Sequence, residues 1–149
     1  MKVTFYLNDI LMSFDVKENE YLAETLRKSG LKSIRFGCNE TSCGACTVLI
    51  DNKPVLSCGV LTGQVEGRHV TTVEGIQEEA LKIANCFADE GADQCGFCNV
   101  GYALVIYALK RELNDPSDDE IKDYIVGNLC RCTGYQSQLK AIRAYLEDK

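Results

Sequence analysis

This sequence lacks the features that would direct it to a membrane or to nucleic acid. Its 149 residues contain no apolar run long enough to span a bilayer, and the chain opens on a strand-like alternation instead of a signal sequence. Its 16 Lys and Arg are outnumbered by 22 Asp and Glu, and no basic run could follow a phosphate backbone. We therefore expect a cytoplasmic protein that neither binds nucleic acid nor inserts into a membrane.

The chain is also poor in the groups that catalysis requires. Its single histidine, His69, falls in a predicted strand away from the cysteines, and a Rieske-type iron-sulfur site is excluded because it needs two histidines. No nucleophile with an adjacent base, no phosphate-binding glycine loop and no paired acid-base carboxylates stand out. We predict no catalytic residue and no substrate site in this chain.

Cysteine, by contrast, is abundant, and its order is informative. Disulfides are rare in the cytoplasm, so we interpret the nine cysteines as metal ligands or reactive thiols. Cys86 stands alone on the apolar side of a predicted helix and is expected to be a buried structural thiol. The other cysteines form two sets of four, which are Cys38, Cys43, Cys46 and Cys58 in the first half, and Cys95, Cys98, Cys130 and Cys132 in the second.

The first set has the spacing Cys-x4-Cys-x2-Cys followed by a more distant cysteine, which is typical of a plant-type [2Fe-2S] ferredoxin. Gly37, Gly44 and Ala45 add little side-chain bulk beside these cysteines, so backbone N-H groups can approach the sulfurs of a cluster. A turn-rich loop or a zinc knuckle is the alternative, although zinc sites more often use paired Cys-x2-4-Cys spacings.

The second set, Cys-x2-Cys followed by Cys-x-Cys, suits any tetrathiolate site on spacing alone. Cys98 lies where one predicted helix begins, and Cys130 and Cys132 precede another. The positive end of a helix macrodipole favours thiolates, so both pairs are well placed to hold a negatively charged cluster. The spacing by itself leaves a structural zinc ion open.

The period of the hydrophobic pattern changes near residues 75 to 78. Before that point the pattern predicts two hairpins, a short helix that ends at Gly30, and a last strand over residues 69 to 73. After it, four stripes with a helical period predict four helices, of which the second is apolar nearly all round. The prediction is an α+β fold with one domain over residues 1–77 and a helical domain over residues 78–149.

Three motifs in this order resemble the iron-sulfur subunit of molybdenum hydroxylases, the family of xanthine dehydrogenase and carbon monoxide dehydrogenase. The resemblance extends over essentially the whole chain. The motifs are GCNETSCGACTV at residues 37–48, QCGFC at residues 94–98 and GNLCRCTGY at residues 127–135.

The resemblance implies a β-grasp plant-type ferredoxin domain followed by a four-helix domain, each with a [2Fe-2S] cluster held by one set of four cysteines. It favours iron over zinc for the second set. It also implies that electrons leave substrate at a molybdenum-pterin centre in a large subunit, pass through both clusters and reach FAD in a medium subunit. Gln94 and Cys132 are then expected to lie near the pterin.

Two departures from the family's pattern carry structural expectations. Thr41 stands where the family usually has glycine, and a β-branched residue held there at positive φ is strained by ~1–3 kcal/mol. Asn99 stands where the family usually has threonine, and we expect it to cap the following helix.

Two other functions fit the residues less fully than an electron-transfer subunit. They are a free-standing two-cluster electron carrier and a zinc-stabilised interaction module. In the family the large subunit selects the substrate, and a purine is the class we expect.

Overall fold

The computed structural model describes residues 1–147, so the last two residues of the predicted helical domain lie outside the described part. The strands are β1 Lys2–Leu7, β2 Ile10–Asp15, β3 Thr47–Ile50, β4 Lys53–Leu56 and β5 His69–Thr71. The helices are α1 Leu22–Lys28, α2 Gln77–Asp89, α3 Asn99–Glu112, α4 Asp118–Ile125 and α5 Gln136–Glu147. The α+β class and the four helices of the second half are confirmed.

The strands form one mixed sheet in the order β2-β1-β5-β3-β4. Both predicted hairpins form, and their turns use residues that tolerate positive φ, Asn8 and Asp9 in the first and Asp51 and Asn52 in the second. Strand β5 pairs in parallel with β1 and antiparallel with β3. It is shorter than predicted, because the chain turns into a 3-10 helix at Val73–Ile76.

Helix α1 packs across one face of this sheet and completes the first core. Leu22 and Leu26 are fully buried with Val3 and Phe5 of β1. The predicted end of the helix at Gly30 is confirmed, since Gly30 has φ 101° and the backbone N-H of the next residue donates to Leu26 O at 3.1 Å. This Schellman arrangement turns the chain toward the first cysteine loop.

The second core lies among helices α2 to α5 and is built from their apolar stripes. Its largest buried side chains include Phe87, Tyr102 and Tyr145. The start of α4 has a capping box, in which the Ser117 hydroxyl accepts from Glu120 N at 3.3 Å and Ser117 N donates to the Glu120 carboxylate at 2.8 Å.

Strand β3 and helix α3 join the two halves of the molecule. Successive side chains of β3 point to opposite faces, so Val48 and Ile50 enter the first core while Leu49 packs against Leu104 and Ala108 of α3. Both faces of β3 and nearly all of α3 are therefore buried. This explains the continuous apolar run in the strand and the apolar circumference of the helix.

One expectation about α3 was wrong. Cys98 is its N-cap residue and no side chain caps the helix, while the Asn99 amide donates to the Asp93 carboxylate at 2.9 Å. Asn99 is already the first residue of the helix, so it does not occupy the capping position. No helix within residues 1–147 is long and apolar enough to cross a membrane.

Candidate metal centres

The β3-β4 hairpin determines where the first four cysteines meet. Cys46 and Cys58 flank this hairpin, whose register pairs Thr47 with Leu56. Ser57 ties the two ends together, because its N-H and its hydroxyl both donate to Cys46 O, at 3.3 and 2.6 Å. Cys38 and Cys43 come from the preceding loop, which leads from α1 into β3.

The four thiols of the first set influence one another's acidity in two pairs. Cys43 is the thiol that acts most on the pKa of Cys38, and Cys46 is the thiol that acts most on the pKa of Cys58. The pairs are also close to each other, since the charges of Cys38 and Cys43 both act on Cys58. A two-iron cluster takes two thiolates on each iron, so four thiols arranged as two neighbouring pairs fit such a cluster.

Backbone N-H groups and burial act in opposite directions within this set. N-H groups of Ser42, Glu40 and Cys43 lower the pKa of Cys38 to about 6, with Ser42 N lying 3.5 Å from Cys38 Sγ. Burial raises the pKa of Cys43, and burial followed by the neighbouring Cys46 thiol raises the pKa of Cys58 to about 12. Backbone N-H groups therefore dominate the acidity of Cys38, whereas burial dominates that of Cys43 and Cys58.

Thr41 occupies the strained position that its sequence context predicted. Its φ is 57°, a left-handed conformation that a β-branched residue rarely adopts. The side chain lies directly against Gly59, since a Cβ added to Gly59 would come 2.7 Å from Thr41 Cγ2. Gly59 follows Cys58, so the Thr41 methyl group covers the loop beside the fourth cysteine.

The second set is assembled from the turn that begins α3 and the loop between α4 and α5. Cys95 and Cys98 belong to a tight turn in which Gly96 has φ 75° and Cys98 is the N-cap of α3. Cys130 and Cys132 lie in the loop between α4 and α5. Tyr135 holds that loop, because its hydroxyl accepts from Cys130 N at 3.0 Å.

These four thiols also influence one another's pKa in pairs, Cys95 with Cys132 and Cys98 with Cys130. Cys98 is the less acidic thiol of its pair, because burial raises its pKa to about 12. The Phe97 N-H, with a smaller contribution from the Cys132 thiol, lowers the pKa of Cys95. Burial opposes ionisation of Cys130, but the Thr133 hydroxyl and nearby N-H groups outweigh it and lower that pKa.

The two cysteine loops are in direct contact with each other. Leu129 N donates to Cys43 O at 2.9 Å, which joins a residue next to Cys130 to a cysteine of the first set. Side chains are excluded beside this contact, since a Cβ added to Gly101 of α3 would clash with Gly44 O. The backbones can therefore approach only because both positions are glycine.

A cavity of about 390 Å³ lies between the two sets. Cys43 lines it from the first set, and Cys95, Cys98 and Cys130 line it from the second. Arg131 also borders this cavity and forms no ion pair within the described residues.

Other residues singled out in the sequence lie near the surface. Gln94 is exposed beside Cys95, with its amide donating to Gly91 O at 3.0 Å, and Cys132 is exposed on the same loop pair. Cys86 is half-buried on α2 and packs against the second core. His69 is exposed on β5, where its ring stacks on Tyr6 with centroids 4.4 Å apart.

The chemistry of the two donor sets fits an iron-sulfur cluster. The eight cysteines of the two sets carry unbridged thiols, and small residues leave room for N-H groups beside their sulfurs. These features fit a [2Fe-2S] cluster in each half.

Two family descriptions match nearly the whole chain. The description "2Fe-2S iron-sulfur cluster binding domain" matches residues 5–71, and the description "[2Fe-2S] binding domain" matches residues 72–143. The chain is therefore an iron-sulfur protein with two [2Fe-2S]-binding domains. This result decides between iron and zinc in favour of iron.

Individual relatives define the family further. The small FeS subunit of nicotinate dehydrogenase from Eubacterium barkeri is 39% identical over 148 residues, which cover 97% of this chain and 94% of that protein. A probable xanthine dehydrogenase subunit from Bacillus subtilis (strain 168) is 42% identical over 117 residues, covering 77% of this chain and 68% of that protein.

A solved structure agrees with these relatives. The crystal structure of quinoline 2-oxidoreductase from Pseudomonas putida 86 matches with a TM-score of 0.90 and 37% identity, covering 99% of this chain and 94% of that chain. The chain belongs to the family of small iron-sulfur subunits of molybdenum hydroxylases.

Several contributors to the centres were absent from the sequence interpretation. Gly101 and Arg35 connect the two loops through contacts between residues far apart in the chain. No periodicity or spacing marks such residues. Asn128 offered a partial signal, because a polar residue inside a cysteine motif often has a buried partner; its amide donates to Gly44 O at 3.3 Å.

Proposed function

We propose that this chain carries electrons between two partner subunits of a molybdenum hydroxylase. The donor would be a molybdenum-pterin centre in a large subunit and the acceptor would be FAD in a medium subunit. The observation that carries the proposal is the hydrogen bond from Leu129 N to Cys43 O, which joins the two cysteine loops into one continuous structure. A chain with two unrelated metal sites has no need of such a contact.

Cys38, Cys43, Cys46 and Cys58 would hold the ferredoxin-type cluster, and Cys95, Cys98, Cys130 and Cys132 would hold the helical-domain cluster. When bound, [2Fe-2S] clusters supply one-electron redox chemistry. The chain's own part is to place N-H donors beside the sulfurs, as Ser42 does for Cys38, and to exclude water from the inner thiols. These donors offset the negative charge of the thiolates.

We also propose that the exposed edge of the second set faces the pterin. Cys132 would serve there as both ligand and contact, and the Gln94 side chain would donate or accept a hydrogen bond. Support comes from their exposure, because both lie at the surface on loops that carry Cys95 and its partner thiol. Cys98 and Cys130 of the same set are only half-exposed and are less accessible to a partner.

The domain limits of this proposal are residues 1–77 and 78–149. Two separate hydrophobic cores support them, one between the sheet and α1 and the other among α2 to α5. The short 3-10 helix Val73–Ile76 supplies the connection.

The assembled enzyme would work in the cytoplasm on a purine or a related N-heterocycle, with the substrate bound in the large subunit. The names of the relatives support this class, since they refer to nicotinate, xanthine and quinoline. No residue of this chain is assigned to substrate.

The test is selective removal of one cluster. In Cys95→Ala the helical-domain cluster loses a ligand, so we expect one of two EPR signals of the dithionite-reduced protein to disappear while the other persists. Cys86→Ala is the matched control, because it removes a cysteine outside both sets and should keep both signals. Loss of both signals in Cys95→Ala with unchanged circular dichroism, or retention of both, would contradict the ligand assignment.

A further inference from the structure

Arg35 belongs to the ferredoxin-type half but binds the cysteine turn of the helical half. It lies three residues before Cys38, and its Nη1 atom donates to Gly96 O at 2.5 Å and to Phe97 O at 2.8 Å. These carbonyl groups lie between Cys95 and Cys98 in the chain. One guanidinium group therefore joins the two halves at the second cysteine set.

The bond to Gly96 O fixes the orientation of a donor to sulfur. Gly96 C=O and Phe97 N-H are opposite ends of one planar trans peptide unit. The carbonyl end is bound by Arg35, and the N-H end is the group that does most to lower the pKa of the Cys95 thiol. A cation on the carbonyl also polarises the peptide and strengthens its N-H as a donor.

The Phe97 ring secures the same contact from the other side. The Arg35 guanidinium carbon lies 5.5 Å from the centre of that ring, within the range of a cation-π contact. The ring edge also lies against Gly37, since a Cβ added there would come 3.0 Å from Phe97 Cε1. Arg35 and Gly37 therefore both contact the turn that carries Cys95 and Cys98.

We propose that Arg35 is a positioning residue for the helical-domain cluster, acting from the ferredoxin-type domain by holding the Gly96-Phe97 peptide so that its N-H faces Cys95. This inference rests on the proposed function, because it assumes that Cys95 is a cluster ligand. Reduction adds a negative charge to the cluster, so a well-oriented N-H stabilises the reduced form more than the oxidised form. Loss of Arg35 should make the midpoint potential of the helical-domain cluster more negative.

The test is an anaerobic EPR redox titration of the native complex carrying Arg35→Gln. We expect the reduction equilibrium of the helical-domain cluster to fall by about tenfold, or ~59 mV for one electron, while the ferredoxin-type cluster stays near its wild-type value. The signals are assigned to domains with Cys95→Ala. Arg35 lies near Cys38 of the ferredoxin-type cluster in the sequence, yet its replacement is expected to shift the potential of the helical-domain cluster.

Arg27→Gln is the matched control. Arg27 lies in the same domain, carries the same charge, donates to the backbone oxygen of Ile34 and stands at the same 5.5 Å from a ring centre, that of Phe36. All these partners are in the ferredoxin-type half. Arg27→Gln should therefore leave the helical-domain cluster unshifted.

Arg35→Lys separates orientation from charge, because lysine keeps the positive charge but lacks the planar guanidinium and its stacking on Phe97. The positioning role predicts a shift in the same direction as for Arg35→Gln. A lysine variant with the wild-type potential, equal shifts of both clusters in Arg35→Gln, or an equal shift in Arg27→Gln would overturn it.

If Arg35→Gln loses both EPR signals, the potential of the helical-domain cluster in Arg35→Lys tests the positioning role by the same criteria. Two signals in the wild-type protein are required by the proposed function alone, so failure of that function is recognised separately.

Discussion

Neighbouring cysteine side chains in this molecule differ widely in acidity. The pKa of Cys38 is lowered to about 6 by N-H donors, whereas burial raises those of Cys58 and Cys98 to about 12. Thiolates in contact repel one another, so each set favours a bound cation that neutralises all four. Cys38 would supply a ligand that is already ionised at neutral pH, whereas Cys58 and Cys98 would have to lose a proton to serve as ligands.

Thr41 is the residue whose replacement should affect the ferredoxin-type cluster alone. Thr41→Gly relieves a strained backbone and removes the methyl group that covers Gly59 next to Cys58. Greater access of water favours the more negative reduced form, so we expect the midpoint potential of this cluster to rise. The measurement is an EPR redox titration, in which the helical-domain cluster is the internal reference.

Thr41→Val is the control for this change, because it keeps both the β-branch and the methyl group and should remain near the wild-type potential. If the potential of Thr41→Gly equals that of the wild type, the methyl cover has no influence on the cluster.

Residue identity disclosed the ligands but not the residues that hold them. The cysteine spacings, the flanking glycines and the strain at Thr41 were all readable because they are local. Arg35 was not, since its partners Gly96 and Phe97 are 61 and 62 positions away in the chain. A long-range contact depends on how two domains dock, and one sequence carries no record of it.

At the scale of elements, α3 and the first cysteine loop meet through backbone alone. Gly101→Ala would place a methyl group closer to Gly44 O than real contacts reach. We expect the domains to shift apart at a cost of about 1–3 kcal/mol, despite the higher helix propensity of alanine. The loss of stability is measured as a lower urea midpoint, followed by the visible absorption of the clusters.

Gly63→Ala is the matched control, since the added methyl would make only an ordinary contact at 3.6 Å with Met1. It should leave the urea midpoint unchanged or slightly higher. Equal midpoints for Gly101→Ala and the wild type would show that the two halves tolerate a wider separation.

Most elements follow from periodicity, and the exceptions have physical causes. The hairpin turns, the Gly30 helix end and the Ser117 capping box are encoded by a few adjacent residues, and all of them form. Strand β5 ends earlier than its apolar pattern suggests, because Val73 turns toward the helical core. Asn99 fails as a cap because the helix begins at Asn99 itself and Cys98 occupies the N-cap position.

At the scale of the whole molecule, two cores are joined by a layer that contains the cysteine loops. The α+β class and its order of elements were predictable, because the hydrophobic period changes once along the chain. The close contact between the domains was not predictable. The apolar run of β3 and the apolar circumference of α3 are nevertheless consistent with burial between two cores. The two cysteine sets face a common cavity as a result.

The central claim is that this chain is a two-cluster relay inside a larger enzyme. Purification of the native complex under anaerobic conditions, with metal, flavin and subunit analysis, tests it most directly. We predict about four iron atoms per copy of this chain, two for each [2Fe-2S] cluster, together with molybdenum and FAD in co-purifying subunits. A chain that elutes alone with iron, or one that carries stoichiometric zinc and shows no EPR signal after reduction, would contradict the claim.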